Sequence, residues 1–302
     1  MSKGPDLSAF RVSSGKGFKL RKLPTKIPAL FTDETDYLEK LGQYRDDLHE
    51  MQTQMYAHDR YSMLAVFQAM DAAGKDSTIE HVFNGVNPQG VDVHAFKKPS
   101  DEDLDHDFMW RSTTRLPGRG KIAVFNRSYY EEVLVCKVHP EIVQKIQRLP
   151  DHVLEDMDLL YQHRYESIRD FEKHLFRNGT HVVKFFLNVS KREQAKRFLS
   201  RVDDREKNWK FNEGDLAERE HWDDYMAAYE ATICETATPE SPWYVVPADS
   251  KKNMRLLVAQ ILRLEMKKLA LSWPEFPEEQ KDVLRRSREK LAAELARPKD
   301  RS

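Results

Sequence analysis

Five short apolar runs constrain the fold of this chain more than any other feature of its sequence. They cover residues 63–67, 91–96, 121–125, 181–187 and 243–246. Each is rich in β-branched or aromatic residues and nearly continuously apolar, which is typical of strands buried on both faces. Because helical segments separate them, the runs predict βαβ units and hence an α/β fold, with a parallel five-stranded sheet flanked by helices. Ligands of such folds bind beyond the carboxyl ends of the strands.

Helical patterns fill the intervals between these runs and flank them. They are expected at residues 35–56, 75–83, 101–115, 151–177, 191–201, 215–235, 251–269 and 278–296. The main domain is predicted to span residues 35–275. Residues 1–34, which carry several Lys and Pro, are expected to form a loosely ordered N-terminal arm. Residues 276–302 are expected to form a helical extension that is either an oligomer contact or a solvated tail.

The composition narrows the class of protein. Among 302 residues, 49 Lys and Arg balance 50 Asp and Glu, so the net charge gives no general affinity for nucleic acid or for membranes. No apolar run approaches the length of a membrane span, and the first residues lack a signal-peptide core, so a cytoplasmic protein is expected. Two cysteines are too few for a disulfide framework, and the histidines show no zinc-binding spacing.

The segment FQAMDAAGKDST, residues 67–78, carries the clearest chemical signal. It joins an apolar strand to a helix start through a short loop, an arrangement that points backbone N–H groups and a helix dipole at an oxyanion, with Lys75 adding a full charge. Against the phosphate-loop pattern G-x-x-x-x-G-K-[ST], Ala69 replaces the first glycine and Asp76 replaces the hydroxyl residue. Taken alone, the match fits an ordinary strand-turn-helix with a solvated lysine equally well.

A second segment, IAVFNRSYYEE at residues 122–132, has the form of a strand end at which P-loop enzymes place a carboxylate for magnesium. Asn126 stands where Asp is expected, and a neutral amide is a poorer ligand for a hard dication. The charge would then have to come from Asp71, Glu131 or Glu132. The alternative is an exposed helix start, where the helix dipole favours acidic residues anyway.

Basic residues cluster in two further places. Residues 191–211 hold eight Lys or Arg and four acids, which suggests a lid over an anionic substrate. Arg197 and Arg201 lie one helical turn apart, so both could reach a transferring phosphoryl group, although an ion pair of Glu193 with Arg197 is an alternative. The other cluster is a track suited to a flexible polyanion, and a solvated surface is its alternative. It comprises Lys97, Lys98, Arg111, Arg115 and Lys121.

Eight segments occur in an order that chance would rarely produce. They read DAAGKD (71–76), FNGVNPQGV (83–91), FKKPS (96–100), HDFMWR (106–111), FNRSYYE (125–131), WKF (209–211), GDL (214–216) and PWYVVPA (242–248). Together they resemble the polyphosphate kinase 2 family over nearly the whole chain. Asn126, Arg127 and Ser128, with Glu131, resemble the class III branch of that family.

The resemblance implies a P-loop kinase-like fold with a helical lid at about residues 191–213. It also implies transfer of phosphate from inorganic polyphosphate to AMP and to ADP, which gives ADP and ATP, with Mg²⁺ as the cofactor. Polyphosphate, AMP, ADP and ATP are thus the expected partners, and a homo-oligomer is the expected assembly.

The resemblance further implies roles for individual residues. Catalytic roles fall to Asp71, Lys75, Arg127, Glu131, Arg197 and Arg201. Substrate binding is expected of Ala72, Ala73, Gly74, Asp76, Ser77, Asn87, Lys97, Lys98, Arg111, Asn126 and Lys207. Magnesium is expected at Asp71 and Glu132, and Glu132 departs from the Asp of that branch. The extension beyond about residue 274 is longer than the resemblance covers.

Two other functions remain open on the sequence alone. One is a P-loop kinase of nucleosides or nucleotides that uses ATP as the donor, and the other is a non-catalytic phosphate-sensing protein. The extended basic track argues against the first, because ATP alone would not need it. The presence of Asp71, Lys75 and Arg127 together argues against the second.

Overall fold

The computed structural model describes residues 5–296, so residues 1–4 of the expected arm and 297–302 of the expected extension lie outside the described chain. A six-stranded sheet lies at the centre of the first of two compact units, which ends at Leu271. Its strands are β1 Arg11–Val12, β2 Ser62–Gln68, β3 Val91–Ala95, β4 Ile122–Asn126, β5 Thr180–Asn188 and β6 Trp243–Pro247. Their order in space is β1-β6-β5-β2-β4-β3, with β1 antiparallel to β6 and the other pairs parallel.

The sheet corrects the expectation of five parallel strands. The five predicted runs form β2 to β6, but β1 adds a sixth, antiparallel strand from the stretch expected to be a loose arm. Two residues are too few to give a readable alternation of apolar and polar side chains. Residues 5–33 are also tied to the domain, because Phe10 and Leu20 are buried and the Asn188 and Asn253 amides donate to carbonyls of this stretch.

Most helices lie within or close to their predicted segments, but the two between residues 135 and 145 were not predicted. The helices are α1 Glu34–His58, α2 Lys75–Phe83, α3 Asp101–Leu104, α4 Trp110–Thr113, α5 Val135–Val138, α6 Pro140–Lys145, α7 Asp151–Leu154, α8 Met157–Arg177, α9 Lys191–Asp203, α10 Glu213–Glu218, α11 Trp222–Thr236, α12 Lys251–Lys267 and α13 Glu278–Leu295. Three predicted helices are each divided in two. At one such break, Asp156 begins α8 anew by accepting a hydrogen bond from the N–H of Leu159.

The two faces of the sheet carry different helices. Tyr244 donates to Glu265 of α12, and α12 packs against α1 and α2 on that face. On the opposite face, Lys184 of β5 pairs with Glu172 of α8, against which α11 packs. The strand β3 lies at the edge and is partly exposed, with Val93 half exposed, whereas the sequence predicted a buried strand. A run of β-rich residues does not reveal whether a strand lies at the centre or at the margin of a sheet.

The second compact unit begins at Ser272, and its described helix is α13. None of the helices within residues 5–296 is both long enough and apolar enough to cross a bilayer.

Candidate active site

The carboxyl ends of β2 and β4 lie side by side. In the parallel pair, Phe67 stands opposite Asn126, and the N–H of Arg127 donates to the carbonyl of Phe67 at 3.0 Å. The loop after β2, residues 69–74, and the turn after β4, residues 126–132, therefore leave the sheet next to each other. The two segments that the sequence singled out thus meet at the edge where parallel sheets bind ligands.

The loop after β2 contains two residues with left-handed φ values. Ala72 and Gly74 have φ values of 58° and 106°, and Gly74 directly precedes α2. A side chain at Gly74 would be strained by this φ, and its Cβ would lie 3.1 Å from the terminal methyl of Met254. The conformation thus needs small residues, as the sequence DAAGKD supplies.

Lys75 lies inside this loop. Its Nζ donates to the carbonyl of Ala69 at 2.7 Å and to that of Met70 at 3.4 Å, and the side chain is buried. Burial lowers the pKa of Lys75, and the nearby Arg127 lowers it further. Beside it, the amide of Asn126 donates to Asp76 at 2.7 Å. The residue at the strand end and the residue at the Ser/Thr position of the loop are therefore bonded to each other.

Arg127 joins the turn to the loop. One of its terminal nitrogens lies 2.6 Å from Asp71 Oδ1 and the other lies 3.1 Å from Glu131 Oε2. The two carboxylates, Glu131 first, raise the pKa of Arg127 against the effect of its burial. The φ of Arg127 is 63°, a left-handed value that a non-glycine residue seldom adopts. The charged ends of these three side chains are held together.

A cleft of about 470 Å³ opens in front of the loop, and we call it the first cleft. Half of the predicted site residues line it. They are Asp71, Ala72, Gly74, Lys75, Asp76, Lys97, Asn126, Arg127 and Arg201. Two further predicted residues support the loop from within, since the carbonyl of Ala73 accepts from Arg197 and the hydroxyl of Ser77 donates to the carbonyl of Gly74.

A second cleft, of about 380 Å³, shares Phe96, Lys97 and Arg127 with the first. Its charged lining includes Lys98, Arg111, Glu131 and Glu132. Its apolar wall comprises Phe96, Leu104, Val135, Ile142 and Ile146. The guanidinium of Arg111 lies 5.5 Å from the centre of the Phe96 ring and donates to the carbonyl of Lys97 at 2.8 Å. Arg111 therefore packs on the apolar wall, whereas Lys97 and Lys98 line the cleft but are exposed to solvent.

Comparison with known proteins decides the family. A family model described as polyphosphate kinase 2 matches residues 31–272. The chain belongs to the polyphosphate kinase 2 family. It is 50% identical over 277 residues to a protein of Rhodopseudomonas palustris named ADP-polyphosphate phosphotransferase, covering 91% of this chain and 95% of that protein.

Further members of the polyphosphate kinase 2 family agree in sequence and in fold. A protein of Meiothermus ruber named AMP/ADP-polyphosphate phosphotransferase is 40% identical over 270 residues, covering 89% of this chain and 96% of that one. The crystal structure of polyphosphate kinase 2 from Arthrobacter aurescens is similar with a TM-score of 0.83 and 37% identity, over 94% of this chain and 98% of that one.

Arg197 has a different position from that expected for a lid arginine of this kinase family. Its guanidinium is buried and donates to the carbonyls of Ala73 and Ala248, each at 2.5 Å, and to that of Ala72 at 3.3 Å. Its Nε donates to Glu193. Burial lowers the pKa of Arg197. This arginine is bonded to the carbonyls of the loop after β2, whereas Arg201, one turn later, lines the first cleft.

Glu132 is likewise bonded elsewhere. Its carboxylate lies 3.3 Å from Arg164 on α8 and accepts from the amide of Gln147 at 2.5 Å, and Glu132 and Arg164 are both buried. A carboxylate neutralised in this way does not fit the expected role of a magnesium ligand beside Asp71. The presence of Glu instead of Asp at position 132 did not indicate that this carboxylate pairs with Arg164, because Arg164 lies on another helix.

Two other predicted residues lie apart from the loop. Asn87 caps the short 3₁₀ helix Pro88–Gly90, which precedes β3, so it lies at the amino end of a parallel strand and away from the binding edge. Lys207 is half exposed, pairs with Asp204 and lines neither cleft. The turn that Asn87 caps explains the segment around Asn87 that resembles the family.

Sequence reasoning missed several residues at this edge. Asp215 on α10 lines the first cleft and lies 3.5 Å from Arg201, and burial, followed by the charge of Asp71, raises its pKa. Gln194 on α9 donates to the carbonyl of Asp71 at 2.8 Å and accepts from Arg219 at 2.6 Å. Only Asp215 gave a signal, as part of the segment GDL.

The possible metal ligands are few. Within residues 5–296, no group of three or more His, Cys, Asp or Glu side chains could hold a metal ion by itself. Asp71 and Asp76 both line the first cleft, and one oxygen of each accepts a hydrogen bond, from Arg127 and Asn126 respectively. Mg²⁺ is commonly held by one or two carboxylates together with substrate phosphates. These residues fit a magnesium ion that is shared with bound phosphates.

Proposed function

We propose that this protein transfers a phosphoryl group from inorganic polyphosphate to AMP and to ADP. The observation that carries the proposal is the pair of clefts that meet at Arg127 and Lys97. One cleft is lined by the phosphate loop and by charges, and the other adds an apolar wall. Such a pair suits a polyanionic donor on one side and a nucleotide on the other, with their phosphates meeting between them.

The first cleft would hold the polyphosphate. Lys75, Lys97 and Arg201 place positive charge along it, beside the N-terminus of α2. A chain of phosphates carries no base or sugar to recognise, so distributed charge is a sufficient means of binding. The helices α9 and α10, which carry Arg201 and Asp215, would act as the lid expected at about residues 191–213.

The second cleft would hold AMP or ADP. Its apolar wall, with Phe96, Val135 and Ile142, offers a surface for the base, while Lys98 and Arg111 lie near enough to meet ribose or phosphate oxygens. Arg127 and Glu131 stand between this cleft and the phosphate loop. The acceptor phosphate would therefore approach the donor beside Arg127.

The chemistry requires positioning and charge neutralisation rather than a covalent nucleophile. Lys75 and Arg127 would stabilise the charge that develops on the transferring phosphoryl group, and Arg127, like any guanidinium, is charged at every working pH. Mg²⁺, held by Asp71 and by phosphates, would neutralise further charge in the bound state. The loop amides orient the donor, and the lid excludes water.

The test is an assay of the whole chain with magnesium, long-chain polyphosphate and either ADP or AMP, with ATP and ADP as the measured products. We expect ATP from ADP, and ADP followed by ATP from AMP. Product from ADP but none from AMP would remove AMP as an acceptor. No product from either, together with phosphate transfer from ATP to a nucleoside or nucleotide, would replace the proposal with an ATP-dependent kinase.

A further inference from the structure

A charged pair is buried on the α8 face of the sheet, below the turn that carries Arg127. Glu172 of α8 and Lys184 of β5 have exposed fractions of 1% and 0%, and Lys184 Nζ lies 2.6 Å from Glu172 Oε2. The same ammonium donates to the carbonyl of Thr236 at 2.7 Å. Neither residue lines a cleft, and neither belongs to the sequence segments on which the proposed function rests.

Three hydroxyl groups complete the bonding of Glu172. Tyr129 and Tyr130 donate to its Oε1 at 2.9 Å and 2.7 Å, and Ser241 donates to its Oε2 at 2.8 Å. Burial, and then the charge of Glu172, raise the pKa values of both tyrosines well above the ordinary value, so both remain phenols that donate. The carboxylate therefore has two donors on each oxygen.

Stability alone is a weak reason for such a network. Removing two charges from water is costly, and apolar side chains of similar size often replace a buried ion pair without loss of stability. What the network does provide is direction, because Tyr129 and Tyr130 are held at two defined points. Both are fully buried and belong to the 3₁₀ helix Tyr129–Val133 that directly follows Arg127 and Ser128.

That 3₁₀ helix determines where the reactive side chains point. Arg127 precedes it with a left-handed φ of 63°, a conformation that the surroundings must impose. Glu131 lies one residue after Tyr130 and pairs with Arg127 at 3.1 Å. The bonds of the two tyrosines to Glu172 thus hold the backbone between Arg127 and Glu131. On its other side, the Arg127 guanidinium lies 2.6 Å from the carboxylate of Asp71.

We propose that Glu172, held by Lys184, is a positioning residue for phosphoryl transfer. It binds Tyr129 and Tyr130 and so fixes the turn on which Arg127 and Glu131 face the phosphate loop. This inference rests on the proposed function for its kinetic consequence, but its structural consequence can be measured without any reaction.

The test uses single-atom deletions. Tyr129→Phe and Tyr130→Phe each remove one bond from the turn to Glu172 while leaving the ion pair and the ring packing in place. Tyr244→Phe is the matched control, because Tyr244 is an equally buried tyrosine that donates to Glu265 on the other face of the sheet.

We expect Tyr129→Phe and Tyr130→Phe each to lower kcat about fivefold, and the double variant more, with KM for polyphosphate changed less than about twofold. Hydrogen exchange of residues 126–134, measured without substrate, should become about fivefold faster in both. The control Tyr244→Phe should keep kcat and exchange within about twofold of the parent.

Two results would overturn the proposal. One is unchanged exchange at residues 126–134 in both tyrosine variants. The other is an equal rise in exchange in Tyr244→Phe, which would reveal general loosening instead of anchoring of the turn. If the parent chain makes no ATP from polyphosphate, the proposed function fails, yet the exchange measurement still decides whether Glu172 fixes the turn.

Discussion

The loop after β2 and the turn after β4 leave neighbouring strands and line the same cleft, yet different bonds hold them in place. The loop is held through its backbone, because the side chains of Lys75 and Arg197 donate to the carbonyls of residues 69, 70, 72 and 73. The turn is held through its side chains, which meet the carboxylates of Asp71 and Glu172.

This difference explains why one segment is easier to recognise than the other. A loop held by its carbonyls needs small residues that tolerate unusual φ values. The consecutive residues DAAGKD meet this requirement, so it is visible in the local sequence. A turn held by buried carboxylates needs partners that lie elsewhere in the chain, such as Glu172 and Arg164 on α8. Substitutions in the two segments are therefore expected to remove different kinds of contact.

The largest effects are expected at the charges that face the first cleft. Lys75→Ala and Arg127→Ala should each lower kcat by about two orders of magnitude or more, because each removes a preorganised charge at the phosphoryl centre. They should differ in stability. Lys75→Ala leaves a buried carbonyl of the loop without its donor, so its melting temperature should fall further than that of Arg127→Ala.

Arg169→Ala is the control for both, since Arg169 pairs with Glu235 and lines neither cleft. It should keep nearly normal turnover. Normal turnover in Lys75→Ala or in Arg127→Ala would place the reaction outside the first cleft. Equal melting temperatures for those two variants would contradict the distinction between a backbone support and a side-chain support.

Smaller effects are expected at two arginines of one helix. Arg197→Ala removes the backbone support of the loop, so hydrogen exchange of residues 69–76 should rise and kcat should fall about tenfold, with little change in KM for polyphosphate. Arg201→Ala removes a charge that lines the cleft, so KM for polyphosphate should rise about tenfold and depend less on salt, with exchange unchanged. Matching profiles for the two variants would mean that both arginines act on the same group.

The sequence carries a large part of this fold. The runs that form β2, β4 and β6 hold at least four consecutive apolar residues, and α2 follows the loop after β2 at the predicted residue, because local composition determines both. The strand β1 was missed because its two residues give no pattern and form a strand only by pairing with β6.

Less of the site could be predicted from the sequence, for a related reason. Spacing placed Arg197 and Arg201 on the same side of α9, but it did not show that Arg197 meets the loop while Arg201 meets the cleft. Glu132 stands beside Glu131 in the chain, yet the carboxylate of Glu132 pairs with the buried Arg164 on α8. Such assignments depend on which charges the fold brings together at long sequence distance, and no local pattern contains that information.

The last prediction contrasts a carboxylate of the loop with one of the turn. Asp71 lines the first cleft and keeps one oxygen beyond its bond to Arg127, whereas Glu132 is neutralised by Arg164 and accepts a hydrogen bond from Gln147. Asp71→Asn should therefore raise the magnesium concentration needed for half-maximal rate about fivefold, while Glu132→Gln should leave it unchanged and lower thermal stability instead, because Arg164 stays buried without its counter-charge. Magnesium titrations of both variants at saturating polyphosphate, with melting temperatures alongside, measure this contrast. If Glu132→Gln raises the magnesium requirement and Asp71→Asn does not, the metal belongs to the turn, and the loop supplies only its lysine and its amides.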